Sequence, residues 1–204
     1  MRSFSLGLER VLGAVARRGE SPAGRLLRIA PVRCALHRRA VRAWRATDEP
    51  LIVCFGNINR SPFAAQLARR RAGSRARSGG FYPQAGRCSP PGTVAGARAY
   101  EVDLSAHRSV VVDDAALARA PAIFVFDLQN LASVAARWPR ALRRTHLVGA
   151  LAEEGSLLIA DPHGRGTLVL EQVLAQIATA IEHADRGDGD GARAATARAA
   201  RGRG

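Results

Sequence analysis

The sequence predicts an α/β fold: a Rossmann-like three-layer domain with a four-stranded parallel sheet and a phosphate-binding loop after the first strand. Two observations carry that expectation. Short apolar runs alternate with segments of helical periodicity, and strands separated by helices pair in parallel with helices covering both faces. The first apolar run also ends in a Gly-Asn turn that leads into Ser-Pro, the succession of strand, tight loop and helix N-terminus in which anions are held.

Leu51-Ile52-Val53-Cys54 follows the break Asp48-Glu49-Pro50 and reads as a buried strand. Ser61-Pro62 opens a helix whose inner face carries Phe63, Ala64, Leu67 and Ala68. A second strand is expected around residues 74 to 78. A Gly/Pro-rich loop over 79 to 92 and a helix from about Thr93 to Tyr100 follow it. Residues 122 to 126 are a clear apolar strand, 128 to 137 a helix and 145 to 148 a weak fourth strand. Leu168, Val169, Val173, Leu174, Ile177 and Ile181 recur at helical spacing and predict a closing helix over 167 to 184. From Asp185 onward Gly, Ala, Arg and Asp dominate, a composition expected to be disordered.

Composition bounds the function. The chain has 204 residues and a net charge of +14, and every one of its 31 basic residues other than histidine is Arg. Residues 1 to 49 hold +7 of the excess, 50 to 183 hold +5 and 185 to 204 hold +2. Half of the charge therefore lies outside the region with the strand and helix signals. Without interleaved aromatics or a binding motif it reads as solvated surface and argues against nucleic acid as a partner. No uncharged apolar run is long enough for a membrane-spanning helix. Residues 1 to 46 do not read as a secretory signal, because Glu9, Arg10, Arg17 and Arg18 interrupt the apolar stretches. Three widely spaced cysteines, Cys34, Cys54 and Cys88, point away from a disulfide framework and toward a reducing cytoplasm. Five scattered histidines fit no zinc spacing, and no metal or cofactor is expected.

Within the basic segment, Leu26, Leu27, Ile29, Val32, Leu36, Val41 and Trp44 alternate with arginines from Arg25 to Arg45, which suggests a basic amphipathic helix interrupted at Pro31. Residues 1 to 46 could contact an anionic membrane surface or an acidic partner. The same pattern also fits a helix packed on the domain, or a passive extension.

The chemistry concentrates in Cys54-Phe55-Gly56-Asn57-Ile58-Asn59-Arg60-Ser61-Pro62. Cys54 ends a strand beside a helix N-terminus, where the helix dipole and the Arg60 guanidinium favour a thiolate. The loop N–H groups and the planar fork of Arg60 can hold phosphate oxygens. A thiolate in a phosphate cradle is a nucleophile for phosphoryl transfer.

These residues resemble the loop Cys-x-Gly-Asn-x-Cys-Arg-Ser-Pro of the low-molecular-weight protein tyrosine phosphatases, matching at Cys54, Gly56, Asn57, Arg60, Ser61 and Pro62. The resemblance continues at Ser78-Gly79-Gly80-Phe81, at Asp103-Leu104-Ser105-Ala106-His107-Arg108-Ser109 and at Asp161-Pro162. It covers about 50 to 183. It implies residues 1 to 48 as a basic extension, 49 to 184 as the phosphatase domain and 185 to 204 as a tail.

The resemblance further implies that Cys54 attacks the phosphorus of a phosphotyrosine and that Asp161 first protonates the leaving phenolate and then assists water. Arg60 would clamp the phosphoryl oxygens and Ser61 would donate to the sulfur. Phe55, Gly56, Asn57, Ile58, Asn59 and Ser61 would surround the substrate. Asn57, Ser78 and His107 would hold the loop's shape. A phosphotyrosine protein, first of all an autophosphorylating tyrosine kinase, is the partner it implies.

Three departures stand out. Asn59 occupies the place of a second Cys able to protect the nucleophile by a disulfide. His163 replaces the aromatic that commonly follows Asp-Pro, so Phe55, Phe81 or Trp138 is expected to supply the wall for a substrate ring. Ile58 resembles the tyrosine-directed members, whereas Thr at that place accompanies phosphoarginine specificity. Two rivals are a thioredoxin-coupled arsenate reductase, which needs two downstream cysteines where only Cys88 exists, and a catalytically silent basic adaptor that binds phosphate.

Overall fold

A computed structural model describes residues 29–186 of the chain. Four short strands, β1 (Leu51–Cys54), β2 (Arg77–Gly80), β3 (Ile123–Val125) and β4 (Thr145–Leu147), form one sheet in the order β2-β1-β3-β4. All pairs are parallel, with Leu51 opposite Arg77 and Ile123, and Ile123 opposite Thr145. β1 and β3 are buried along their whole length, as expected for central strands of a parallel sheet covered on both faces. The chain leaves β1 toward β2 on one side, while β3 adds on the other. The carboxyl ends of β1 and β3 therefore flank the point where strand order reverses, the place where such sheets bind ligands.

The helices are α1 (Ala30–Arg45), α2 (Arg60–Ala72), α3 (Pro91–Arg98), α4 (Asp114–Arg119), α5 (Leu128–Arg137) and α6 (Thr167–Asp185). α2 begins within the loop motif and buries Phe63, Ala64, Leu67 and Ala68 against β1, β2 and α6. Gly73, at φ 59°, ends it in the left-handed region that glycine adopts without a Cβ penalty. α5 starts at Asp127, whose Oδ1 accepts the Asn130 N–H at 2.7 Å.

Several boundaries differ from the sequence expectation. β2 begins at Arg77 rather than Ser74, because Ser74 turns the chain by bonding the Asp48 carbonyl and the Ala76 N–H. The strand instead continues through Gly79 and Gly80. A Cβ at Gly80 would lie 2.9 Å from both Asn57 Cβ and the Phe55 carbonyl, so only glycine lets this strand run past the loop. α3 starts two residues early, with Pro91 in its first turn. α4 was not expected; six residues are too few for a readable period, yet Asp113 caps it through the Ala116 N–H at 2.7 Å.

α1 is continuous from residue 30. Pro31 opens it rather than interrupting it, since a proline in the first turn forfeits no helical hydrogen bond. Its inner face buries Ala40 and Trp44, and Trp44 meets Phe124 of β3 edge-on at 5.0 Å. Trp44 Nε1 also donates to Asp185 at 3.1 Å, so Asp185 ends α6 rather than beginning a tail. Arg33 donates to the Glu153 and Gly155 carbonyls, Arg39 to the Arg143 carbonyl and Arg45 to the Ala184 carbonyl. Part of the amino-terminal charge thus ties α1 to the domain. The expectations for residues 1 to 28 and 187 to 204 lie outside the described residues.

Candidate active site

The loop after β1 is built around Cys54, which is 3% exposed. Asn57 bends the chain at φ 51°, a left-handed conformation that Asn tolerates better than most residues. The bend directs the Asn57 N–H to Cys54 Sγ at 3.2 Å. The loop also leaves the N–H groups of Gly56, Ile58 and Asn59 without an acceptor among the described residues. Asn57 is held on three sides: Nδ2 donates to Ser61 Oγ at 2.9 Å, Oδ1 accepts the Val110 N–H at 2.8 Å, and its carbonyl lies 2.8 Å from His107 Nε2. A carbonyl partner requires the tautomer with the proton on Nε2. Burial pushes the His107 pKa down, aided by Arg108 and Arg69 and opposed by the bond to Asn57, which keeps the ring neutral at pH 7.

Ser61 lies beneath the sulfur, its Oγ 3.1 Å from Cys54 Sγ and 3.2 Å from the Gly79 carbonyl. Because Asn57 already donates to it, its one proton serves either acceptor. With a thiol present the hydroxyl can donate to Gly79 and accept from Sγ; with a thiolate it turns to donate to the sulfur.

Arg60 is 1% exposed. Its NH1 donates to Asp127 Oδ2 at 2.6 Å and to the Ile159 carbonyl at 3.0 Å, its NH2 pairs with Asp161 Oδ2 at 2.8 Å, and the guanidinium lies 5.2 Å from the Phe126 ring centroid. Burial alone would lower the Arg60 pKa, but the charges of Cys54, Asp127 and Asp161 outweigh it and raise the pKa above its ordinary value. Its Nε is buried without a partner. A buried donor left unpaired costs about 1–3 kcal/mol, a cost that an anion oxygen in the cradle would remove.

Above the sulfur is a cavity of about 170 Å³ lined by Cys54, Phe55, Gly56, Ile58 and Asn59 of the loop, and by Tyr82, Arg87, Asp161 and His163. Asp161, 41% exposed, sits at its mouth, and the Asp161 carboxylate accepts the His163 N–H at 3.2 Å, which fixes its direction. Phe55 and Tyr82 meet edge-on at 5.7 Å and make an aromatic wall. Arg87 stacks on Tyr82 with its guanidinium carbon 4.1 Å from the ring centroid and donates to the Gly56 carbonyl, which locks wall and loop together.

Cys54, Phe55, Gly56, Ile58, Asn59 and Asp161 thus converge on one cavity, with Arg60 beneath it. Asn57 and Ser61, expected against the substrate, are fully buried and act through the sulfur and the loop backbone. Asn59 accepts from Thr93 Oγ1 at 2.7 Å, which ties the loop to α3. His107 holds the loop, whereas the Ser78 side chain makes no hydrogen bond to it among the described residues; the neighbouring Gly79 carbonyl makes that contact instead. Phe81 is buried against Trp138 at 6.3 Å, and neither lines the cavity.

Sequence reasoning missed Tyr82, Arg87 and Asp127. Tyr82 follows the Ser-Gly-Gly-Phe run directly, so its place after β2 was a usable signal. Asp127 was readable as a helix cap two residues past a buried strand, but its second oxygen reaches Arg60 across 67 residues.

A family model described as low molecular weight phosphotyrosine protein phosphatase matches residues 50–184. The probable low molecular weight protein-tyrosine-phosphatase EpsP of Ralstonia nicotianae is 30% identical over 133 residues, 65% of this chain and 90% of that protein. Among solved structures, the tyrosine phosphatase Wzb from Escherichia coli K30, in complex with sulphate, superposes with a TM-score of 0.63 at 24% identity, covering 69% of this chain and 98% of that one. The YwlE arginine phosphatase from Geobacillus stearothermophilus has a TM-score of 0.61 at 22% identity, covering 68% and 91%.

Proposed function

The chain belongs to the low molecular weight phosphotyrosine protein phosphatase family, and from that premise we propose that it hydrolyses phosphotyrosine in proteins with Cys54 as nucleophile and Asp161 as general acid and base. The fold is shared with both a tyrosine and an arginine phosphatase, so the substrate side chain must be argued from the cavity. The observation that carries the choice is the aromatic wall of Phe55 and Tyr82 beside Cys54 and Asp161. An aryl ring packs on it edge-to-face, while Ile58 presents an apolar rather than a hydrogen-bonding side chain.

The phosphoryl group enters the cradle and takes up the free N–H groups of the loop and the unpartnered Nε of Arg60. It also competes with Asp161 for NH2 of Arg60, which frees that carboxyl, in its protonated form, for the leaving oxygen. The Cys54 thiolate attacks phosphorus in line; the P–O(aryl) bond breaks, and the Asp161 proton goes to the phenolate oxygen. Ser61 donates to the sulfur and makes it a better leaving group when water, deprotonated by Asp161, attacks the cysteinyl-phosphate and breaks the P–S bond. Inorganic phosphate and free Cys54 result.

An autophosphorylating tyrosine kinase is the first protein substrate to test, on the family resemblance alone. Three free cysteines favour a reducing, cytoplasmic setting, and no helix among the described residues is long and apolar enough to cross a membrane.

The test is hydrolysis of a phosphotyrosyl peptide, a phosphoarginine peptide and a phosphoseryl peptide by wild type and Cys54→Ser. Turnover of the phosphotyrosyl peptide alone, abolished in Cys54→Ser, is expected. Preference for phosphoarginine would overturn the assignment of substrate, and undiminished turnover by Cys54→Ser would overturn the mechanism.

A further inference from the structure

Behind the phosphate loop lies a second cleft of about 340 Å³, between α2, β2 and the segment that leads into α4. Its charged lining consists of Arg69, Arg77 and Arg108, with His107 beside them and no carboxylate among the lining residues. None of the three guanidiniums pairs with an acid. Arg69 donates through Nε to the Ala76 carbonyl, and Arg108 to the carbonyls of Ser105 and His107. Arg77 makes no side-chain hydrogen bond or ion pair among the described residues, and its Nε is buried. The acids at the start of α4 are already engaged: Asp113 caps that helix and Asp114 accepts from Trp138. Pro62 and Ala65, on the same helix as Arg69, and Val110–Val112, which follow Arg108, complete the lining with apolar groups.

We propose that this cleft is a second ligand site, for a small organic phosphate or phosphonate whose anionic group lies on Arg69, Arg77 and Arg108 and whose apolar body lies on Pro62, Ala65 and the Val110–Val112 segment. Three like charges around one concavity repel one another, and a dianion placed among them relieves that repulsion. Planar guanidiniums match the tetrahedral oxyanion geometry, and a cleft of this size holds a small metabolite with most of its surface covered. The site is separate from the catalytic cavity, since the two share no lining residue. It is nevertheless coupled to the catalytic loop, because His107 lines the cleft and bonds the Asn57 carbonyl, while Val110 donates to Asn57 Oδ1. A ligand that shifts either residue shifts the bend that aims the Asn57 N–H at Cys54.

The probe is phenylphosphonate, which also enters the catalytic cavity, so the two sites must be resolved. Titration followed by amide chemical shifts of the full-length protein at low ionic strength is expected to give two saturation curves. One is reported by Gly56 and Ile58, and a weaker one by Ser78, Arg108 and Val111. The double variant Arg77→Gln/Arg108→Gln is expected to weaken the second at least tenfold and leave the first within twofold. By calorimetry, Arg60→Ala is expected to retain only the second site. A single curve shared by all reporters, or a second curve indifferent to Arg77→Gln/Arg108→Gln, overturns the proposal whether or not the protein proves to be a phosphotyrosine phosphatase. In a parallel titration, inorganic phosphate binding the second site as tightly as phenylphosphonate would refute the role of the apolar lining.

Discussion

Asp127 offers the sharpest test of how the Arg60 guanidinium is aimed. Its two carboxylate oxygens do two tasks: Oδ1 caps α5 through the Asn130 N–H at 2.7 Å, and Oδ2 holds Arg60 NH1 at 2.6 Å. Asn cannot do both, because it has one oxygen and its amide would face a donor. Ser keeps the cap, being an equally good capping residue, but does not carry the charge that clamps Arg60. A hydrogen bond to a charged group is worth about 1.5–3 kcal/mol. The Asp127 side chain is 21% exposed, and Arg60 keeps its bonds to Ile159 and Asp161, so about 2 kcal/mol is the reasonable share. If that energy holds the guanidinium in position for the phosphoryl oxygens, its loss lowers kcat/KM by about 30-fold, at about 1.4 kcal/mol per factor of ten. The assay is hydrolysis of p-nitrophenyl phosphate by Asp127→Ser and Asp127→Asn well below their melting temperatures, with thermal unfolding measured alongside. Asp127→Ser should lose activity and keep most of its stability, and Asp127→Asn should lose activity and some of its cap. Both variants within twofold of wild-type kcat/KM would refute the reasoning, since Arg60 would then be aimed by Ile159 and Asp161 alone.

Gly80→Ala should lower kcat/KM by more than tenfold through displacement of the loop at Phe55 and Asn57, because its Cβ would press on backbone atoms 2.9–3.0 Å away; a structure or amide spectrum with an unmoved loop would contradict this. Trp44→Ala should cost about 3–5 kcal/mol as a buried large-to-small change, read by chemical denaturation. Truncation to residue 47 should destabilise the domain in the same way, whereas truncation to residue 29 keeps α1. Burial, with a smaller contribution from Arg39, pushes the His146 pKa down to about 4. The unfolded chain therefore binds the extra proton first, so stability present above pH 6.5 is lost as the pH falls toward 4; His146→Phe should flatten that part of the pH–stability curve. Peroxide should inactivate wild type beyond rescue by thiol after prolonged exposure, because Asn59 stands where a second cysteine could trap the sulfenic acid; full recovery would show that another cysteine serves.

The local sequence determined the two central strands, because the apolar runs Leu51–Cys54 and Ile123–Val125 favour burial on both faces of a sheet. It also determined the chemistry of the loop, because a Cys, a Gly-Asn turn and Arg-Ser-Pro must lie together within nine residues. The candidate acid was legible through the family resemblance, since Asp161-Pro162 follows the loop motif in the family's order, and the fold brings Asp161 to the cavity that Cys54 lines. Contacts between distant segments were not legible. Residue types alone do not say that Asp127 reaches Arg60, that Tyr82 rather than Phe81 or Trp138 faces the cavity, or that three arginines from separate elements surround one cleft. The charge of α1 is the clearest case: in the sequence, its arginines fit a membrane- or partner-seeking face, a helix packed on the domain and a passive extension alike. Only the folded chain brings Arg33, Arg39 and Arg45 to backbone carbonyls more than 100 residues away. Periodicity reports which face of an element is apolar. Which partner covers that face, and what the polar groups at its rim bond to, is decided when the whole sheet is assembled.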